Sequence, residues 1–94
     1  MVRIEERSLE ERTGEERMGH LMDITKRIIE KEHKVIDWGR YAFTVSDGNE
    51  QPIYVDALNK KVYVKKREYE SLGLKLAEIY EKECEEEFTL KREY

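Results

Sequence analysis

The chain has 94 residues, enough for one domain with a thin core, since a chain of this size buries only roughly 60–65% of its unfolded surface. Charged residues are 43% of the total with a net charge of −4, and mean hydropathy is −0.89. That balance argues against a dedicated DNA-binding domain, which is usually basic throughout. A single cysteine, Cys84, excludes an internal disulfide, and no apolar run approaches the roughly 20 residues of a membrane span.

The polar residues are unevenly chosen: 18 Glu and 10 Lys stand against one Gln and two Asn. Many charges with few heat-labile amides is the pattern of proteins from hot environments. With no apolar leader at the N-terminus, the expected location is the cytoplasm.

A short repeat, EERSL, EERTG and EERMG, starts at Glu5, Glu10 and Glu15, and residues 1–12, with little apolar content, read as a charged, mobile arm or a solvated helix extension. A short edge strand at Val2 and Ile4 is an alternative. The domain proper spans 13–94. Thr13-Gly14-Glu15-Glu16 fits a capping box, and Ser8-Leu9-Glu10-Glu11 fits it one turn earlier. Met18, Leu21, Met22, Thr25, Ile28 and Ile29 follow helical spacing, which predicts a first helix over about 14–33.

Val35 to Val45 reads as strand with a change of parity. Ile36 and Trp38 share one phase, and Tyr41, Phe43 and Val45 the other. A bulge at Gly39-Arg40, or two short strands with a bend there, reconciles them. Ser46 to Gln51 is turn chemistry. The segment Pro52 to Arg67, PIYVDALNKKVYVKKR, is the clearest hairpin signal. A loop of Ala57 to Lys60 pairs Asp56 with Lys61, Val55 with Val62, Tyr54 with Tyr63 and Ile53 with Val64. Only that register keeps all the aliphatic residues on one face. The result is an antiparallel meander over 35–66. A second helix is expected over about 68–86, with Tyr69, Leu72, Leu76, Ile79, Tyr80 and Glu83 or Cys84 as its stripe; Ser71 is an alternative N-cap, with Gly73 then early in the helix. Phe88 and Leu90 alternate with polar residues and suit a further strand. The fold class is therefore α+β: a three- to four-stranded antiparallel sheet with two helices on one face. With an N-terminal strand it approaches a ferredoxin-like arrangement.

Charge is segregated along the chain. Residues 35–67 carry 6 basic and 4 acidic side chains, whereas residues 68–94 carry 4 and 9. The acidic run Glu85-Glu86-Glu87 sits at a helix C-terminus, where the macrodipole is negative, and so calls for fraying or a basic partner.

Catalytic chemistry finds no foothold. Two histidines thirteen apart and one cysteine fit no zinc pattern. A metal-dependent nuclease needs an acid at a strand end, then D/E-x-K on the next strand. Asp56 is so placed, but the next strand reads Val62-Tyr63-Val64-Lys65. No catalytic residue, metal or cofactor is expected.

Two surfaces are candidates for binding. On the hairpin, Lys60, Lys61, Lys65, Lys66 and Arg67 offer phosphate contacts, and Tyr54 and Tyr63 offer stacking. A solvated edge hairpin, whose lysines discourage aggregation, has the same composition. On the second helix, Glu78, Glu81, Glu85 and Glu86 could face a basic partner. The expectation is a small regulatory module acting on a protein partner, such as an inhibitor of a host system of the kind viruses carry. A homodimer is expected, because the aromatic residues outnumber what a thin core can hold. Nucleic-acid binding through the 52–67 hairpin is the alternative, and membrane association is not expected.

Overall fold

A computed structural model describes residues 9–94. Helix α1 (Leu9–Ile28) is followed by four strands: β1 (His33–Gly39), β2 (Ala42–Asp47), β3 (Glu50–Asp56) and β4 (Lys61–Val64). A 3-10 turn at Arg67–Tyr69 leads into α2 (Glu70–Cys84), and β5 (Thr89–Arg92) closes the chain. The sheet runs in the order β1-β2-β3-β4-β5. Its first four strands are antiparallel, and β5 lies parallel to β4.

The α+β class with both helices on one face holds, but the sheet is mixed and has five strands rather than three or four antiparallel ones. The reason is the α2 crossover. It carries the chain from the end of β4 back to its beginning, so the next strand enters parallel. Thr89 N donates to Lys60 O at 2.9 Å, and Glu93 N donates to Val64 O at 2.7 Å. The N-terminal strand and the ferredoxin-like arrangement that depends on it fall on residues 1–8, outside the described residues. Residues 9–12, read as part of an arm, belong to α1.

The hairpin register matches the alternation residue for residue: Ile53 with Val64, Tyr54 with Tyr63, Val55 with Val62 and Asp56 with Lys61. Ile53, Val55, Val62 and Val64 are fully buried beneath the helices. Ile53, Val55 and Val62 pack with Phe43 and Val45 of β2, with Met18, Leu21 and Ile24 of α1, and with Leu76, Ala77 and Tyr80 of α2. Each such side chain contributes roughly 1.5–3 kcal/mol on burial. Thr25, on the apolar stripe, is buried because its hydroxyl meets that of Tyr80 in the core and donates to Leu21 O at 2.7 Å.

Two element boundaries differ from the local pattern. α1 ends at Ile28 and not at His33. Glu30, Lys31 and Glu32 are good helix formers, but pairing of His33 with Asp47 and of Lys34 with Ser46 fixes the strand start, and the tertiary ladder overrides the local preference. Between Trp38 and Tyr41 a tight turn joins two strands, and the strand entering it also carries an irregularity between Asp37 and Gly39, next to the expected bulge. Gly39, Arg40 and Tyr41 all have positive φ (74°, 50° and 65°). Gly39 pairs with Ala42 across Arg40-Tyr41, a primed hairpin turn built without the usual Asn-Gly. That turn alone would set Ile36 and Trp38 on the face of Phe43 and Val45; the register shift between Asp37 and Gly39 pairs Ile36 with Thr44 instead, and Ile36 and Trp38 lie on the opposite sheet face.

α2 matches its stripe, and the preceding 3-10 turn takes up Tyr69. The acidic C-terminus finds its basic partner within the chain. Arg17 of α1 grips Glu86 with Nε at 2.7 Å and Nη2 at 3.0 Å, while Nη1 donates to Ala57 O at 2.7 Å. One guanidinium thus ties α1 to the β3–β4 turn and to the end of α2. No helix among the described residues is long and apolar enough to cross a membrane.

Candidate functional site

Because both helices pack against one side of the sheet, no described helix covers the other. A single cross-strand row runs over that open face. Ile36 pairs with Thr44, Thr44 with Tyr54, Tyr54 with Tyr63, and Tyr63 with Lys91. The Tyr54 and Tyr63 rings meet edge to face, with centroids 5.6 Å apart at 65°. Partial burial, then Asp56, then Tyr63 push the Tyr54 phenol above its ordinary range, so it stays neutral.

The face is cationic around the tyrosines. Lys61 and Lys65 lie on β4 and just past its end, on the tyrosine side of the strand, and Lys91 joins them from β5. Tyr54, Asp56, Tyr63, Lys65 and Glu93 line a shallow depression of about 280 Å³. Asp56 is already engaged: its carboxylate accepts from Leu58 N at 3.1 Å, Asn59 N at 3.0 Å and Asn59 Nδ2 at 2.8 Å. It shapes the hairpin turn, as an Asx residue does. Glu93 is the one exposed carboxylate of the depression.

The predicted hairpin set divides. Tyr54, Lys61, Tyr63 and Lys65 share the open face. Lys60 closes the turn with φ 57° and gives its carbonyl to β5. Lys66 turns to form an ion pair with Glu50, and Arg67 lies over the Tyr94 ring, 5.7 Å from its centroid. The predicted acidic set divides as well. Glu81 Oε1 accepts from Phe88 N at 3.0 Å, and Glu86 is held by Arg17. Glu78 is exposed, and Glu85 caps α2 in the left-handed conformation, with φ 55°.

Local pattern reading missed three contributors to the face. Lys91 arrives through a parallel pairing that alternation along its own strand cannot reveal. Ile36 and Trp38 were not legible from their phase, because a plain two-residue turn would carry them to the face of Phe43 and only the register shift between Asp37 and Gly39 turns them away from the core. Trp38 is 57% exposed, yet its indole is anchored. Nε1 donates to Thr44 Oγ1 at 2.8 Å and to Gln51 Oε1 at 3.2 Å, and Thr44 Oγ1 bonds Gln51 in turn.

The D/E-x-K position resolves to Tyr63-Val64-Lys65, with Tyr63 set against Tyr54 where such a nuclease would need a carboxylate. Among the described residues no group of three or more His, Cys, Asp or Glu side chains is gathered as a metal site. Burial first, then Glu86, hold the Cys84 thiol above its ordinary value, which leaves it a poor nucleophile.

What this arrangement can do chemically is stack planar groups on aromatic rings and neutralise anions beside them. Comparison with protein-family models, with curated proteins and with solved structures yields no match to this chain.

Proposed function

We propose that this chain is a nucleic-acid-binding module that works through the open face of its sheet. The observation that carries the proposal is the Tyr54–Tyr63 pair on a face that no described helix covers, with Lys61, Lys65 and Lys91 around it. Rings beside ammonium groups suit a polymer of planar bases and phosphates. The chain's net charge of −4 is no obstacle, because charge is sorted by layer. Helix α2 (Glu70–Cys84) carries 4 acidic side chains against 2 basic ones, while Lys61, Lys65 and Lys91 lie on the other side of the sheet beside Asp56 and Glu93. The field that a polyanion meets depends on the side from which it approaches.

The acidic-surface reading has weaker support, since Glu81 and Glu86 are engaged within the chain. Self-association through the open face would use the same aromatic residues, and the experiment separates it.

Labelled DNA and RNA oligonucleotides are titrated at low salt against wild type, against a Lys61→Glu/Lys65→Glu/Lys91→Glu variant, and against a Lys75→Glu/Lys82→Glu control on α2. Binding should fall at least tenfold in the first variant, on the order expected for lost phosphate contacts, and hold in the control. Absence of binding, or equal losses in both variants, overturns the proposal. So does a dimer that sedimentation shows to dissociate on Tyr54→Ala/Tyr63→Ala while no oligonucleotide binds; the occupant of the face is then a second copy.

A further inference from the structure

Trp38 belongs to neither the core nor the tyrosine pair. A lone exposed hydrophobic residue is ordinary. An exposed indole fixed by two hydrogen bonds is a different object, because its orientation is set before any ligand arrives. Thr44 holds it at 2.8 Å and Gln51 at 3.2 Å. Thr44 is buried and is the register partner of Tyr54, so the Trp38 anchor abuts the tyrosine row directly.

Resting on the reading above, we infer that the ligand is single-stranded nucleic acid, crossing the strands from the Lys91 side toward β1, with Trp38 as a second stacking platform. β1 and β3 are two strand spacings apart, roughly 10 Å, a gap one strand bridges within a few nucleotides. The lysines of β4 and β5 neutralise phosphates at one end of this path, and Lys34 stands exposed on β1 at the other. A duplex does not fit this arrangement. Its bases are already stacked on one another, and the described part of the face offers no projecting helix to enter a groove. Bases with free faces are what an indole and two phenols can hold. The site is a sequence-tolerant one, because every base has such a face while the open sheet positions few hydrogen-bonding groups to read edges.

Trp38 is the only tryptophan, so its fluorescence reports the site directly. A labelled thymidine oligonucleotide and a hairpin duplex of equal length are titrated into wild type, Trp38→Ala and Gln51→Ala, followed by label anisotropy and by tryptophan emission. Single strands should quench Trp38 at saturation and should bind about tenfold more weakly to Trp38→Ala, the scale of one lost base–aromatic stack. Gln51→Ala should lie between, since it loosens the indole without removing it, and the duplex should compete poorly. Saturating binding with unchanged emission, full affinity in Trp38→Ala, or equal competition by the duplex overturns the single-strand path and leaves the charged face standing. No binding of either form at low salt overturns both.

Discussion

Tyr69 links the start of α2 to the far edge of the sheet. Its hydroxyl donates to Asp47 Oδ2, its ring meets His33 edge-on with centroids 5.8 Å apart, and His33 Nε2 stands 3.4 Å from the oxygen. The hydrogen bond to Asp47, then burial, then the charges of Asp47, Glu50 and Glu68 push the phenol up to about 12. An unfolded tyrosine ionises near 10. Because the folded value is the higher, this group's contribution to stability is fully present below about pH 10. It is lost as pH rises from about 10 toward 12. Tyr69→Phe should lower stability at neutral pH and flatten the alkaline decline, as read from denaturant midpoints at about pH 8 and about pH 11. Identical declines in the two proteins would remove the Asp47 bond as the cause. Tyr80 obeys the same sign for a different reason. Burial comes first for it, and the hydroxyl of Thr25 is the partner that makes a core tyrosine tolerable.

Among the elements, α2 carries the tightest constraint. A Cβ added at Gly73 would lie 2.4 Å from Val64 Cγ2 and 3.3 Å from Leu90 Cδ1, so the helix rests directly on β4 and β5. Val64 is fully buried and β-branched and cannot swing aside. Helix propensity alone makes alanine better than glycine by about 1 kcal/mol. At Gly73 the overlap should win, and Gly73→Ala should lower stability by about 1–3 kcal/mol. Gly19 of α1 has nothing within 4 Å of the same added atom. Gly19→Ala should therefore raise stability by about 0.5–1 kcal/mol. Urea unfolding of both variants decides the matter, and a stabilising Gly73→Ala would refute this packing of α2. The glycine early in the second helix was visible in the sequence, but its reason was not. The close approach exists only once β5 has added beside β4.

At the scale of the whole molecule, a chain of net charge −4 still gathers Lys61, Lys65 and Lys91 on the open face of its sheet. If Lys61, Lys65 and Lys91 neutralise about three phosphates, log affinity for a single strand should fall with log salt at a slope near −2. A slope near zero, measured by anisotropy across a salt series, would exclude phosphate contacts as the source of affinity. Much of this architecture was legible in the linear pattern. Alternation at Ile53, Val55, Val62 and Val64 admits one register that buries all four, and that register is the one formed. Helical spacing from Met18 to Thr25 and from Leu72 to Tyr80 identified which sides of α1 and α2 turn inward. Such patterns state which side chains of one element share a face, because burial is repeated at the element's own period. They are silent on which distant segments become neighbours and in what direction. The parallel entry of β5, the grip of Arg17 on Glu86, the early end of α1 and the turning of Trp38 toward the open face each depend on long-range pairing. These contacts join residues far apart in the chain, so the free energy that selects them resides in the assembled sheet and its helices, and only the tertiary structure decides them.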